Sequence, residues 1–331
     1  MKLAIVGATG LVGQEILLVL EKCRFPLQTL LLVASNNSVG QSLHWAGGRC
    51  KIIGLEDALA ALPTLVIFAA GEVISTTWAP RFVAAGAVVI DNSTAWRMHP
   101  DYKLIVPEVN GHLLQASDCI IANPNCSVIQ LVMALAPLHQ HYGIKRLVIS
   151  TYQAVTGSGK QAIEQLMAER QGTDDVPSVY PHTIDLNVIP HVDNFLDDGY
   201  TKEEMKLVNE TQKILSDSSI QITATAVRVP VLGGHSIAVN VELCQAFSLD
   251  EVIHLLHKTP GVIVQNNFSQ CQYPMPLHTR HKDAVFVGRL RRDYTCSHAL
   301  NMWIVADNLR KGAATNAVQI ADLIHRLSAK G

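Results

Sequence analysis

Apolar residues in the first third of the chain fall into short continuous runs, separated by stretches with helical spacing. Such runs are typical of strands that are buried on both faces, and they cover residues 2–6, 30–34, 65–69 and 88–90. Helical apolar spacing extends to about Leu20 in the first connection and reappears near 76–85. Buried strands that alternate with helices predict an α/β fold with a mostly parallel, Rossmann-like sheet.

The pattern changes from about residue 125 onward. Strands, two of them half-exposed, are indicated at 146–152, 220–229 and 236–241, and helices at 160–169 and 202–215. This mixture predicts a second domain of the α+β type.

A long helix is predicted at 313–328, where apolar residues stand at 317, 320, 321, 324 and 327. We expect this helix to return to the first domain and close its core. The length of 331 residues also favours two domains. The expected division is residues 1–124 plus 309–331 for one domain and 125–308 for the other.

A glycine-rich turn follows the first strand and reads G-A-T-G-L-V-G at 7–13. Glycines at this junction let a backbone approach a pyrophosphate, whose charge is received by the start of the next helix. The turn therefore indicates a dinucleotide site, although close packing of strand and helix would need the same glycines.

The segment N-P-N-C-S at 123–127 predicts a cysteine at the opening of a helix. Pro124 ends the preceding extended segment, and Asn125 suits the N-cap position. Cys126 would then lie in the first turn, where the helix dipole favours a thiolate and hence a nucleophile. A buried apolar cysteine is the competing interpretation, and this segment alone leaves the two level.

Charge and composition narrow the possible partners. A net charge of −2 argues against nucleic acid or an anionic membrane, and no run reaches the length of a membrane span. Seven dispersed cysteines without a C-x-x-C pair indicate reduced thiols, so we expect a cytoplasmic protein with no metal site. A small anionic substrate is compatible with this net charge, because it needs only a few local cations.

Seven motifs in order give the chain a resemblance to the aspartate-semialdehyde dehydrogenase family. They are G-A-T-G-L-V-G at 7–13, D-N-S-T-A-W-R-M at 91–98, N-P-N-C-S at 123–127, T-Y-Q-A-V-T-G-S-G at 151–159, T-K-E-E-M-K at 201–206, R-V-P-V-L-G-G-H-S at 228–236 and V-A-D-N-L-R-K-G-A-A at 305–314. The resemblance covers nearly the whole chain. It implies an NADP-binding first domain and a catalytic and dimerisation second domain.

The resemblance implies an oxidoreductase that acts on an aldehyde. The family reduces L-aspartyl 4-phosphate with NADPH to L-aspartate 4-semialdehyde and phosphate, in the biosynthesis of lysine (through diaminopimelate), threonine and methionine. Cys126 matches the nucleophile that forms a thioester. His235 matches the acid/base that serves the thiohemiacetal, and Gln153 a glutamine that orients the substrate.

Five further residues match substrate-binding positions of the family. Arg228 matches the arginine that grips the α-carboxylate, and Glu203 the acid that pairs with the ammonium group. The phosphate positions correspond to Arg97, Asn125 and Lys206. Without the resemblance, Glu203 and Lys206 would read as an ordinary exposed ion pair on one helix face.

The resemblance also assigns cofactor-binding positions: Gly7, Thr9, Gly10, Leu11, Val12, Gly13, Ser35, Asn37, Ser38, Gly157 and Asn308. One of them departs from the family pattern, because Asn37 stands where an arginine commonly contacts the 2′-phosphate of NADP. No acid stands there to favour NAD. We therefore expect NADP, with NAD possible.

Two alternatives are open within this resemblance. An N-acetylglutamyl-phosphate reductase would share the thiol chemistry, but its acetylated substrate would leave Glu203 without a cationic partner. A catalytically silent paralogue acting as a binding protein would be expected to lack Cys126 or His235, and both are present. A homodimer is expected from the family.

Overall fold

A computed structural model describes residues 1–173 and 176–328 of the chain, and the elements given below lie within those ranges. The chain divides into two units, Met1–Pro124 with Ala313–Gly331, and Asn125–Gly312. The expected return to the first domain at residue 309 thus falls four residues before the observed boundary. The last part of that expected return, 329–331, lies outside the described residues.

The first unit contains a sheet of eight strands in the described ranges, with helices in the connections. Its elements are β1 (Lys2–Val6), α1 (Leu11–Lys22), β2 (Thr29–Val33), β3 (Ser42–Trp45), β4 (Gly48–Ile53), α2 (Leu55–Ala60), β5 (Leu65–Phe68), α3 (Glu72–Ala84), β6 (Val88–Asp91), β7 (Lys103–Leu104), α4 (Pro107–Asn110), β8 (Ile120–Ala122) and the C-terminal α10 (Thr315–Ser328).

The strand order of this sheet is β3-β4-β2-β1-β5-β6-β8-β7. All neighbours are parallel except β3 and β4, which form an antiparallel hairpin at one edge. The predicted Rossmann-like, mostly parallel sheet is confirmed. Its central strand β5 is apolar and buried at every position, because helices cover both faces of the sheet.

The glycine turn between β1 and α1 leaves no room for a side chain at Gly7 or at Gly13. Gly7 has φ +87°, and a Cβ added at Gly13 would lie 2.2 Å from the Gly7 carbonyl oxygen. Gly10 occupies the N-cap of α1 without a side-chain hydrogen bond to the helix. Gly7 and Gly13 are thus required for packing, whereas Gly10 leaves the N-cap of α1 without a side chain, as a pyrophosphate site requires.

Helix α10 is joined to the core of the first unit by packing and by a buried amide. Ala317, Ile320 and Ala321 lie in the same apolar cluster as Ile16 and Leu20 of α1. Asn316 is fully buried and donates to the backbone oxygen of Ile105 (2.9 Å) and to Oδ1 of Asn123 (2.6 Å). The apolar spacing seen in the sequence thus marks the face that packs on this core.

The second unit is built on a six-stranded sheet in the order β10-β9-β11-β14-β13-β12. Its elements are α5 (Cys126–Tyr142), β9 (Ile144–Gln153), α6 (Lys160–Gln171), α7 (Lys202–Leu215), β10 (Gln221–Arg228), β11 (His235–Leu243), α8 (Leu249–Lys258), β12 (Val262–Val264), α9 (Pro276–Thr279), β13 (Val285–Arg292) and β14 (Ala299–Ala306). Parallel and antiparallel pairs both occur, which confirms the α+β type.

Helix α5 packs against this sheet, and α7 packs against α5 and β10. Strand β11 is more buried than the half-exposed strand that the sequence predicted, because it lies between β9 and β14. The sequence did not assign β12, β13 or β14. Within the described ranges no helix is long and apolar enough to cross a membrane.

Replacement of Asn316 tests how firmly α10 is held. Asn316→Ala leaves the Ile105 oxygen and Asn123 Oδ1 without this buried donor, so we expect the free energy of unfolding to fall by about 1–3 kcal/mol. Asp322→Ala is the control, because it removes only a surface pair with Arg326 on the same helix and should cost at most about 0.5 kcal/mol. Urea unfolding followed by circular dichroism measures both, and equal losses would contradict this anchoring.

Candidate active site

Cys126 is the first residue of α5, and Asn125 caps that helix. The Asn125 side-chain oxygen Oδ1 accepts hydrogen bonds from the backbone N–H of Ser127 (2.9 Å) and of Val128 (3.4 Å). The predicted N-cap is therefore present, and Cys126 stands where the partial positive charge of the helix N-terminus favours a thiolate. All seven cysteines are outside disulfides.

Two carboxylates of α7 accept hydrogen bonds from Asn125. Glu203 Oε1 accepts from the side-chain Nδ2 of Asn125 (2.9 Å), and Glu210 Oε2 accepts from its backbone N–H (2.7 Å). Both carboxylates are buried. The residue before the cysteine is thus fixed through its side chain and its backbone at once.

Glu203 joins three of the residues that the sequence singled out. Its carboxylate accepts from Gln153 Nε2 (3.0 Å) and Lys206 Nζ (3.1 Å) as well as from Asn125. Burial alone would raise the pKa of Glu203, but the Lys206 charge and the two amide donors outweigh it and lower the pKa. Glu203 is therefore an anion at neutral pH, although only 5% of its surface is exposed.

Lys206 lies between two carboxylates and is not the exposed partner of an ordinary helix ion pair. Its ammonium donates to Asp193 Oδ2 at 2.7 Å and to Glu203 Oε2 at 3.1 Å. Burial would lower the pKa of Lys206, whereas Glu203 and Asp193 raise it above the usual value, so the cation persists. No pattern in the sequence indicated Asp193, which lies in a loop and has a left-handed backbone (φ +68°).

His235 begins β11 and is completely buried. Its Nδ1 accepts the backbone N–H of Ala154 at 3.0 Å, so the neutral ring carries its proton on Nε2. Nε2 is buried and has no hydrogen-bond partner among the described residues. Burial, followed by the charge of Arg228, lowers the pKa of His235 well below its usual value. The site thus presents a neutral imidazole with a free donor.

Arg228 ends β10 beside this histidine. Its Nη1 donates to the Ala154 backbone oxygen at 2.7 Å, and its buried Nε has no hydrogen-bond partner among the described residues. A Cβ added at Gly157 would lie 2.9 Å from Arg228 Nη1 and 3.2 Å from His235 Nε2. The guanidinium of Arg228 and the Nε2 donor of His235 therefore both lie next to Gly157.

Two more buried amides position the backbone around the site. Asn308 Oδ1 accepts from the Thr156 hydroxyl and from the Gly234 backbone N–H, both at 3.1 Å. Gln130 Nε2, one turn beyond Cys126, donates to the His235 backbone oxygen at 3.2 Å. Sequence reasoning did not identify Gln130, although a polar residue within an apolar helix was a usable signal.

The remaining predicted residues belong to the first unit. Arg97 is buried there and donates to the backbone oxygens of Asn123 (3.0 Å) and Asn92 (2.8 Å). Ser35, Asn37 and Ser38 lie in the turn after β2, and the Asn37 carbonyl accepts from Gln41 Nε2. Thr9, Leu11 and Val12 lie in or beside the glycine turn.

The other nine predicted residues all belong to the second unit. They are Asn125, Cys126, Gln153, Gly157, Glu203, Lys206, Arg228, His235 and Asn308. A cysteine at a helix N-terminus, a histidine donor, a buried arginine, a half-buried lysine and a buried carboxylate would suit acyl transfer to sulfur from a small charged substrate. Among the described residues, no group of three or more metal-ligating side chains could hold an ion.

Comparison with known proteins identifies relatives for both units. Residues 2–117 match the family described as semialdehyde dehydrogenase, NAD binding domain, and residues 135–311 match the semialdehyde dehydrogenase dimerisation domain. The chain is 47% identical to the aspartate-semialdehyde dehydrogenase of Aquifex aeolicus over 98% of this chain and 97% of that protein. The enzyme of Legionella pneumophila is 46% identical, with coverage of 98% and 96%.

A solved structure also matches the chain along its length. It is aspartate semialdehyde dehydrogenase II from Vibrio cholerae in complex with ASA, with a TM-score of 0.93 and 41% identity over 98% of each chain. The chain thus resembles these proteins in sequence and in fold.

The hydrogen bond from Ala154 makes a prediction about His235. Burial and the Arg228 charge both oppose the imidazolium and lower the pKa of His235. We therefore expect His235 to stay neutral, with its proton on Nε2, at pH values well below 6.5, the ordinary histidine pKa. NMR of protein labelled with ¹⁵N-histidine measures the midpoint and the tautomer, and His235→Gln assigns the resonance. A midpoint at or above that of free imidazole, or a proton on Nδ1, would be inconsistent with this geometry.

Proposed function

Because the chain belongs to the aspartate-semialdehyde dehydrogenase family, we propose that it interconverts L-aspartyl 4-phosphate and L-aspartate 4-semialdehyde through a thioester at Cys126. It is an oxidoreductase that acts on an aldehyde with a nicotinamide dinucleotide. The observation that carries the proposed mechanism is the position of Cys126, which follows an N-cap bonded to the same carboxylate as Gln153 and Lys206.

The first step is attack of the Cys126 thiolate on the acyl carbon. A C–S bond forms, the C–O bond to the phosphoryl group breaks, and phosphate leaves with the electron pair. The start of α5 favours the thiolate over the thiol. Lys206, Asn125 and Arg97 are proposed to hold the phosphate. Lys206 supports this role as a half-buried cation between two carboxylates.

The second step is reduction of the thioester. A nicotinamide dinucleotide held at the glycine turn would supply the hydride for this reduction. His235 Nε2–H then donates to the oxygen on which negative charge develops, a role that fits a buried donor without a protein partner. Breakage of the C–S bond releases the aldehyde and returns the Cys126 thiolate. Gln153 is proposed to orient the acyl group beside the cysteine.

Recognition of the substrate uses opposite charges. Arg228 is proposed to bind the α-carboxylate, since its buried Nε is available as a donor. Glu203 is proposed to bind the ammonium group, and its lowered pKa keeps it anionic. This buried anion favours L-aspartyl phosphate over an N-acetylated substrate, which carries no ammonium charge. The presence of Cys126 and His235 likewise favours an enzyme over a silent paralogue.

The glycine turn fits a dinucleotide, because the N-cap of α1 is Gly10, which places no side chain between a pyrophosphate and the helix N-terminus. We propose NADP as the cofactor. Ser35 and Ser38 offer hydroxyl donors for a 2′-phosphate, and Asn37 offers an amide donor without charge. No carboxylate occurs between Ala34 and Gly40 to repel the phosphate. Gly157 and Asn308 are proposed to lie near the nicotinamide.

The oligomeric state, the location in the cell and the pathway are also proposed from the family. The second unit matches a dimerisation domain, which supports a homodimer. A cytoplasmic location is supported by the seven cysteines that form no disulfide. The proposed product places the enzyme in the biosynthesis of lysine, threonine and methionine.

Removal of the nucleophile is the direct test. Cys126→Ala should lower phosphate-dependent reduction of NADP by L-aspartate semialdehyde at least ~10³-fold, because no thioester can form, while dinucleotide binding is retained. Mass spectrometry should find the acyl group on wild-type Cys126. Cys119→Ala is the control and should keep its activity. Acylation of another cysteine, or a preference for N-acetylglutamate semialdehyde, would refute the proposal.

Cofactor preference is tested at Asn37. We expect wild type to prefer NADP by a modest margin, and Asn37→Arg to raise kcat/KM for NADP about tenfold or more, since an arginine–phosphate pair adds roughly 1.5–3 kcal/mol. The value for NAD should stay nearly constant. Asn37→Gln is the matched control because it lengthens the side chain without adding charge. If wild type prefers NAD, or if the arginine leaves NADP unchanged, Asn37 does not contact the ribose.

A further inference from the structure

Glu210 is a buried carboxylate that none of the proposed steps uses. It lies on α7 seven residues after Glu203, about two helical turns further along the same face. Only 1% of its surface is exposed, and its Oε2 accepts the backbone N–H of Asn125 at 2.7 Å. A carboxylate is costly to bury, so the hydrogen bond that Glu210 accepts from the residue before Cys126 suggests a specific role.

Asn125 has a partner for each of its polar groups. Its backbone N–H donates to Glu210 and its Nδ2 donates to Glu203. Its Oδ1 accepts from Ser127 and Val128, and its carbonyl accepts the first helical hydrogen bond of α5, from Ile129 at 3.0 Å. Rotation of either the side chain or the preceding peptide would break at least one of these bonds.

We propose that Glu210 is a positioning residue for Cys126, which acts by fixing the Asn125 backbone and hence the direction in which the thiol leaves the first turn of α5. This inference rests on the proposed function of Cys126 as nucleophile. The N–H of an N-cap residue precedes the helix and has no partner within it, so a carboxylate from α7 can supply the missing acceptor. A charged acceptor makes this bond stronger than a neutral one.

The effect of misplacement is on the chemical step. Attack on an acyl carbon requires the sulfur within a few tenths of an ångström of a productive approach, and a shift of about 1 Å can cost ~100-fold in rate. Glu210 contacts the Asn125 backbone, whereas the groups proposed to bind the semialdehyde have further hydrogen bonds of their own. Arg228 donates to Ala154, and Glu203 also accepts from Gln153 and Lys206. A loss of positioning should therefore lower kcat with little change in KM.

Glu204 provides a matched control on the same helix. It is buried as well, at 7% exposure, and accepts from the backbone N–H groups of Thr201 (2.7 Å) and Ala226 (2.9 Å). These bonds complete a capping box and join α7 to β10, and neither reaches Asn125. Substitution of Glu204 thus removes an equivalent buried carboxylate whose role is structural.

Two conservative variants separate position from charge. Glu210→Gln keeps an acceptor oxygen at the same reach without the charge, whereas Glu210→Asp keeps the charge and withdraws it by one methylene. We expect Glu210→Asp to lower kcat about 10- to 100-fold with KM for the semialdehyde within about threefold, and Glu210→Gln to retain at least about a third of wild-type kcat. Glu204→Asp should lower the thermal midpoint and leave kcat within about threefold.

Any other ranking of these variants by kcat overturns the proposal. If Glu210→Gln is impaired and Glu210→Asp is not, the charge matters and the position does not. Equal losses of kcat in Glu210→Asp and Glu204→Asp would show a general effect of stability. If wild type lacks semialdehyde activity, the proposed function fails, and the rate at which iodoacetamide alkylates Cys126 becomes the readout. That rate should change more than about threefold in Glu210→Asp but not in Glu204→Asp, and equal rates would overturn the positioning role alone.

Discussion

The hydrogen bonds of Asn125 are the interaction on which the candidate active site depends. One side-chain oxygen caps the helix that begins at Cys126, while the amide nitrogen reaches Glu203. Because Glu203 also binds Gln153 and Lys206, the cap of the nucleophile helix and two further site residues share one carboxylate. Loss of the Asn125 side chain would therefore remove the helix cap beside Cys126 and one hydrogen bond of Glu203 together.

The site contains buried and half-buried charges that compensate one another. Glu203 and Lys206 shift each other's pKa toward the ionised forms, so the cost of removing both from water is partly offset. The pKa of His235, by contrast, shifts toward the neutral form, since burial and the nearby Arg228 lower it. Two fixed charges and one neutral donor give a preorganised site that does not need to reorganise as charge develops on the substrate.

Positions specified by local interactions were predictable from the sequence. Pro124 and Asn125 predicted the start of α5, because an N-cap binds N–H groups only two and three residues ahead. The glycines at 7–13 predicted the first turn for a similar reason, since a Cβ at Gly13 would strike the backbone of Gly7. The hairpin β3–β4 was missed because its short strands at a sheet edge lack a buried apolar run.

Tertiary structure decided which distant residues meet. Asn125 is bound by Glu203 and Glu210, which lie 78 and 85 residues away, and no periodicity in the sequence records such a contact. The sequence showed Glu203 and Lys206 on one helix face but could not distinguish an exposed pair from a buried one. The sequence by itself determined the helices, strands and turns that local backbone chemistry dictates. Packing of α7 on α5 determined their burial, partners and ionisation, because those depend on groups brought together only when the domain folds.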